Sequence, residues 1–475
     1  MIYGVVILSE KNITIYEEYD VAVIGGGPAG IAAAVAAARH GKKTVLIEST
    51  GCLGGTSTAG ALPFYLGAMN GSVPFREMIK KKLPYSSLPR PKKAVGGIFE
   101  EICDTIKAQN GGVGPCVVAQ TDKFPGLDRL GCHDEFTFDI EIGKRIFDEL
   151  ALGAGVHLLY YTMFLDVKTE NGVVKGIYVF NKSGVIYIPI RVAIDCSGDA
   201  DLVARAGFKT YKGDRKTGEM CHASLVAHIE NIDSAQVEAY LNAGGDPWFY
   251  DTCTAAKKKY PEKDLPDNLI IFPMVQEGVY MINGGTSFFG YDGTDGDSMT
   301  NLTIRGRQRA KLLVECLFRE FFPGGGNCRL RMTALYPGVR ETRRIDGLYM
   351  LTENDLLNGT HFEDTIALAG RHFDLSRKSG QPFHKSNLSV KNGMTEIPYR
   401  ILVPKESKNV IAAGRCVSAD GQALGPARIM STCFAMGQAA GTAAALTIDS
   451  KVDFPELDIK ELRTALINDG AVVEY

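Results

Sequence analysis

Hydrophobic positions near the start of the chain fall into short unbroken runs. Tyr19–Ile24 (YDVAVI) is such a run, the pattern of a strand buried on both faces. Gly25–Gly30 reads as a tight turn, and the Ala-rich stretch Ile31–His40 predicts a helix that Gly41 ends. Thr44–Glu48 (TVLIE) is a second apolar run. Strand, helix and strand within about 30 residues make a βαβ unit. From Gly51 to Gly131 the periodicity lapses into Gly- and Pro-rich loops, with one short helix near Ile98–Gln109. Phe138–Leu152 has helical amphipathic spacing, and Val156–Tyr161 predicts a strand. Phe164–Val192 predicts strands joined by turns at Asn171-Gly172 and Ser183-Gly184. Ala193–Gly207 (AIDCSGDADLVARAG) then reads as strand, turn and helix.

Between residues 210 and 395 the style changes. Aromatics, glycines and mixed strands replace the alternation of strand and helix, which predicts an inserted α+β domain. One clear helix is expected within it, Arg305–Phe322. Near Asn409 the first style returns. NVIAAG predicts a strand, Ala427–Thr447 a long helix of small residues, and Asp458–Asn468 a last amphipathic helix. The chain carries no internal repeat and no low-complexity linker.

Composition narrows the class. Of 475 residues, 45% are hydrophobic and 23% charged, near the globular average. Lys plus Arg (52) against Asp plus Glu (55) leaves a net charge of −3, with no overall footprint for nucleic acid. The local basic patch Lys80–Lys93 reads as a solvated loop. The 53 glycines are in excess and clustered, which suggests close backbone approaches to something bound. The 11 cysteines form no C-x-x-C pair, so zinc-ribbon and thioredoxin-like readings lack support. Gly25-Gly26-Gly27-Pro28 breaks the longest early apolar stretch, no segment reads as membrane-spanning, and Met1–Glu10 lacks a basic leader. The expectation is a cytoplasmic protein with a small-molecule substrate, no nucleic-acid partner and no membrane.

The strongest motif is Gly25-x-Gly27-x-x-Gly30, set between a strand and a helix, with Pro28 and Ala29 inside it. Gly25 permits the turn, Gly27 lets backbone approach a pyrophosphate, and Gly30 lets helix and strand pack closely. The helix N-terminus offers free N–H groups to phosphate. Glu48, 18 residues after Gly30, is placed to accept hydrogen bonds from a ribose diol. Strand, helix, second strand and acid in register make this a dinucleotide-binding fingerprint, without deciding between NAD and FAD.

Four further segments carry a family resemblance. They are GCLGGTSTAG (51–60), AIDCSGDADLVARAG (193–207), VRETRRIDG (339–347) and NVIAAGRCVSADGQALGPARIMSTCFAMGQAAGTAAA (409–445). In this order they resemble the FAD-dependent oxidoreductase family, a branch of the glutathione-reductase-like flavoproteins, from Tyr19 to the final helix. The resemblance implies a Rossmann-like α/β FAD-binding domain with a parallel sheet, made of residues 18–70, 136–212 and 396–475. Residues 71–135 and 213–395 would form an inserted α+β substrate domain. It further implies that Gly25, Gly27, Pro28, Ala29 and Gly30 hold the FAD pyrophosphate, and Glu48 with Ser49 the adenosine ribose. Gly54, Gly55 and Thr56 would pass beside pyrophosphate and flavin, and the strand near Phe164 would face the adenine. Ser197, Gly198 and Asp199 would form a second turn near the adenosine half. Gly414 and Arg415 would lie near ribitol and pyrophosphate. The helix opening at Ala427, Arg428 and Ile429 would aim at the flavin N1 and C2 carbonyl.

Only one fingerprint of this kind is present, so the substrate is expected to exchange electrons directly with the flavin. Arg340, Arg343 and Arg344 flank Glu341; such a cluster either grips a carboxylate or knots ion pairs. Among the eight histidines, His133, His222 and His372 are candidates to move a proton, although each taken alone reads first as structural. The family often has a His two residues after the acid at Asp374; here that position is Ser376. Cys52, Cys196 and Cys416 lie in flavin-binding segments and read as tolerated thiols. The combined reading is an FAD-dependent oxidoreductase that transfers a hydride between a small organic substrate and flavin N5. Its rivals are a flavin-dependent RNA-modifying enzyme and a non-catalytic FAD-binding protein.

Overall fold

The structure is a computed structural model and describes residues 13–69, 92–114, 136–215, 217–370 and 393–474. Eight strands form its principal sheet. They are β1 (Ile13–Ile15), β2 (Tyr19–Ile24), β3 (Thr44–Ile47), β4 (His157–Leu159), β5 (Met163–Glu170), β6 (Val173–Asn181), β7 (Gly184–Asp195) and β8 (Val410–Ala412). β4, β3, β2, the second half of β7 and β8 lie side by side, all parallel. The first half of β7 pairs antiparallel with β6, and β6 with β5, so one long strand joins a parallel core to an antiparallel meander.

Alternation along β2 explains its unbroken apolar run. Val21 and Val23 face one core, shared with the helices, while Ala22 and Ile24 face the core roofed by the meander. The helical layer contains α1 (Pro28–Arg39), α2 (Ile140–Gly153) and α3 (Met430–Ser450). A Cβ on Gly437 would stand 2.1 Å from the Ala29 carbonyl oxygen, and one on Gly441 would stand 2.2 Å from that of Ala33. The small residues of α3 therefore serve close packing on α1.

α1 opens at Pro28, three residues before the expected Ile31, and three further helix starts differ from expectation, each for a local reason. α2 starts at Ile140 because the Asp139 carboxylate accepts from Glu141 N and Ile142 N, while Phe136–Phe138 joins a small sheet. The helix expected at Arg305 begins at Gly296, capped by Asp295; its polar first turns hide the apolar period. The long helix begins at Met430 rather than Ala427. Asp420 accepts from Gln422 N and Ala423 N, which organises a separate short turn, Leu424–Ala427, and Ile429 is extended.

Residues 223–339 hold a four-stranded antiparallel sheet in the order Ile271–Pro273, Tyr280–Ile282, Ala227–Glu230, Arg329–Thr333. Its core of Ile229, Leu241, Phe249, Leu313 and Phe318 is separate from the others. Ile98, Phe99, Ile102 and Ile106, like Leu351, Phe362 and Ile366–Ala369, are buried in the core of α1 and α3. The chain thus returns to the first layer between 345 and 369, where Thr365–Ala369 pairs with Thr395–Pro398.

Candidate functional site

The carboxyl ends of β2, β3, β7 and β8 emerge together, the edge at which open α/β sheets bind ligands. Backbone hydrogen bonds tie the emerging turns to one another. Gly25 N donates to Ile47 O (2.8 Å), Cys196 N to Ile24 O (2.8 Å), Ala413 N to Asp195 O (3.0 Å) and Gly54 N to Gly26 O (2.8 Å). Gly30 admits no side chain, since a Cβ there would lie 1.8 Å from the Gly25 carbonyl oxygen. A Cβ on Gly27, by contrast, would meet no atom within 4 Å. Pro28 opens α1, whose first turn has neither a side-chain cap nor an acidic residue, so the amides of Ala29 and Gly30 and the positive dipole end face that cradle. Glu48 is buried, with Oε2 accepting from Gly26 N (2.8 Å) and Oε1 from Thr50 N (2.7 Å) and Ser49 Oγ (3.3 Å). Phe164 on β5 pairs with Val179 on β6 and packs against the meander core.

The second turn is held from below by Asp195, which the sequence reading did not single out. Its fully buried carboxylate accepts from Ser197 Oγ (2.6 Å), Ser197 N (3.1 Å) and Val203 N (3.0 Å). Burial pushes its pKa up, and these hydrogen bonds pull the other way. Asp199 then receives Arg415 (2.7 Å) and Thr342 Oγ1 (2.5 Å), and Arg415 also donates to Thr342 Oγ1 (3.0 Å). Gly198 lies beneath the Arg415 guanidinium. Gly414 faces Ala29, 3.2 Å from its Cβ if given one of its own.

α3 begins seven residues before its contact with Ala29. At 1.5 Å per residue its N-terminus therefore projects about 10 Å beyond the start of α1. Ser431 Oγ bonds the Leu66 carbonyl there. Thr432 Oγ1 is buried with no partner among the described residues, and Ile429 supplies no side-chain cap.

The arginine cluster divides. Arg344 is 2% exposed and pairs with fully buried Glu341 (3.4 Å), which also accepts from Cys221 N (3.1 Å). Arg343 donates to the Asp199 carbonyl (2.7 Å) and to Asp201. Arg340 donates to Ser224 Oγ (2.8 Å) and to the His222 carbonyl (3.3 Å). His222 is buried, its ring 5.3 Å from that of Phe289. His133 and His372 lie outside the described residues, as does nearly all of the Lys80–Lys93 patch. Burial pushes the thiols of Cys196 and Cys416 well up and that of Cys433 up to about 12, so all three stay protonated.

One feature of the site was legible in the sequence only as its arginine cluster. Leu335–Arg343 forms a strap from the inserted layer onto the cradle. Leu335 N donates to Ala59 O (2.8 Å) at one end, and Thr342 and Arg343 bind Asp199 at the other. Between these anchors Gly338–Val339 pairs with Ala223–Ser224. The loop after Gly55 is braced from the same side, where buried His228 Nε2 meets the Ala61 carbonyl at 2.8 Å.

These turns define a dinucleotide-binding site at a parallel sheet edge. The family described as FAD dependent oxidoreductase matches residues 20–466, and the chain belongs to it. Dihydrolipoyl dehydrogenase of Trypanosoma brucei brucei is 50% identical over 50 residues, 10% of each chain. The mitochondrial dihydrolipoyl dehydrogenase of Schizosaccharomyces pombe is 32% identical over 101 residues, 20% of this chain and 18% of that protein. The chain thus spans under a fifth of the length of these curated relatives. Among solved structures, the p-nitrophenol 4-monooxygenase PnpA of Pseudomonas putida aligns over 95% of this chain and 84% of its own at 11% identity and TM-score 0.45. The L-proline dehydrogenase of P. horikoshii aligns over 95% and 98% at 14% identity and TM-score 0.42. The protein is an FAD-dependent oxidoreductase by family, and its residues fit that cofactor. The Gly27 cradle, the two uncapped helix N-termini, the fixed Glu48 carboxylate and the unpartnered Thr432 hydroxyl are groups a dinucleotide would engage. Among the described residues no helix is long and apolar enough to cross a membrane.

Proposed function

We propose that the protein exchanges a hydride between a small organic substrate and N5 of bound FAD, with the inserted layer carrying the substrate. The observation behind this reading is the strap, which ties Arg340 and, through Arg340, His222 to the cofactor cradle. In this reading Gly25, Gly27, Pro28, Ala29 and Gly30 hold the pyrophosphate, and Glu48, oriented through Ser49 and Thr50, binds the adenosine ribose. Gly54, Gly55 and Thr56 flank pyrophosphate and flavin. Phe164 and the turn Ser197–Asp199 serve the adenosine half, and Gly414 and Arg415 the ribitol and pyrophosphate. The segment Ala427–Ile429 with the N-terminus of α3 faces the flavin N1 and C2 carbonyl. A helix N-terminus is worth up to ~2 kcal/mol to a partly buried negative charge there.

Bound FAD supplies the hydride acceptor or donor. Arg340 orients an anionic group of the substrate, and His222 holds the coupled proton. Arg343 is a positioning residue, its guanidinium engaged by Asp199 and Asp201. The test is an absorbance spectrum of the purified protein, followed through dithionite and then air. Flavin bands that bleach and recover, and that bleach anaerobically with a substrate in the wild type but far more slowly in Arg340→Met, are the expected result. A protein that stays colourless after incubation with FAD would overturn the reading.

A further inference from the structure

Tyr336 follows the Leu335 anchor of the strap. Its hydroxyl lies 3.5 Å from the point where Gly55 would carry a Cβ, and the Gly27 Cα lies 3.0 Å from the same point. A side chain of the inserted layer is thus brought against Gly55, itself packed on the cradle glycine Gly27, across 281 positions of sequence. Pro337 restricts Tyr336 to extended backbone, so the ring is presented from a stiff support. Burial first, then the charges of Glu48 and Cys52, push the phenol pKa up, and Arg415 opposes them, so the hydroxyl keeps its proton at working pH. A neutral phenol is a hydrogen-bond donor. It stands among the groups that favour an anion: the uncapped start of α1 and the Arg415 guanidinium.

We propose that Tyr336 closes the cradle by donating its hydroxyl to the pyrophosphate of bound FAD. The inference rests on the reading of the cradle as the FAD site. The charges that reach the hydroxyl are those of Glu48, Asp199 and Arg415, residues of the pyrophosphate and adenosine half in that reading. A bond to a charged oxygen is stronger than one between neutral groups.

The experiment titrates the full-length chain, stripped of flavin, with FAD, ADP and riboflavin, followed by flavin fluorescence and, for ADP, by competition. Tyr336→Phe keeps the ring and removes the donor. The expected result is FAD and ADP each bound about 10-fold or more weakly, with riboflavin and the ligand-free melting temperature unchanged. Tyr336→Phe with wild-type affinity for both FAD and ADP overturns the proposal while leaving the FAD site intact. Weakened FAD with unchanged ADP assigns the phenol to the flavin half and also overturns it. A lower melting temperature with all three ligands weakened alike marks a packing role, with the same consequence. A wild-type chain that binds neither FAD nor ADP removes the cradle reading itself, and the assignment of Tyr336 with it.

Discussion

At the sheet edge the groups that line the cradle are mostly backbone: the amides of α1, the turn at Gly27 and the start of α3. In the strap the polar groups are side chains, Tyr336, Arg340 and Thr342, which meet partners from four distant segments. A site made of backbone tolerates no added atom where chains approach. A site made of side chains can lose one group and keep its shape. The two regions should therefore respond differently to substitution.

The largest effect is expected from Gly30→Val. Its Cβ, fixed by the helix backbone, would collide with the Gly25 carbonyl oxygen at 1.8 Å. Overpacking commonly costs about 1–3 kcal/mol and here more, because neither partner can turn aside. Soluble yield and bound flavin should both collapse; a flavin-replete variant with near wild-type melting would refute the comparison.

Next is Glu341→Gln, which leaves Arg344 charged in a site where both side chains are almost wholly buried. Removing one partner of a buried pair costs about 3–5 kcal/mol. Urea unfolding should show that loss, and replacing the pair together by Glu341→Leu and Arg344→Met should restore much of it. Equal destabilisation in both variants would argue that the ion pair itself, not the uncompensated charge, is what matters.

A pH-dependent effect is expected from His228, which braces the Ala61 carbonyl. Burial holds its pKa below the ordinary 6.5. The unfolded chain therefore binds the proton first, and stability that is complete above 6.5 erodes as the pH falls below it. Thermal melts from pH 7.5 to 5 should fall more steeply in the wild type than in His228→Gln. Parallel slopes would remove His228 from the account.

The smallest effect belongs to Arg39→Ala. Arg39 meets Glu101 with two bonds of 2.7 and 2.8 Å, but both side chains are over 40% exposed. Solvent screening limits such a pair to about 0.2–1 kcal/mol, and 1 M salt should erase the difference from wild type.

Much of the dinucleotide half was legible in the chain. The run Tyr19–Ile24, the glycine turn and Glu48 lie within 30 residues, so local spacing already sets their geometry. Asp195 sits in that same half yet escaped notice, because a buried acid under a turn looks in sequence like any other acid. The start of the long helix was misplaced by three residues, since the Asp420 turn that interrupts it acts through a side chain that carries no helical period. In the inserted layer the sequence showed an arginine cluster but not its division. Arg340, Arg343 and Arg344 are chemically alike; Ser224, Asp199 and Glu341 sort them only once strands from residues 195, 223 and 338 are brought together.

The sequence by itself determined the dinucleotide fingerprint and the parallel fold, because glycine spacing and two-faced strands are local properties of neighbouring residues, and the family resemblance of four further segments pointed to FAD. Only the tertiary structure decided which polar side chains meet at the cradle. Thr342, Tyr336 and His228 reach it across long separations, and their meeting depends on how the inserted layer is joined to the first, through the strap and through the shared core of Ala61, Phe64, Leu225 and Met281.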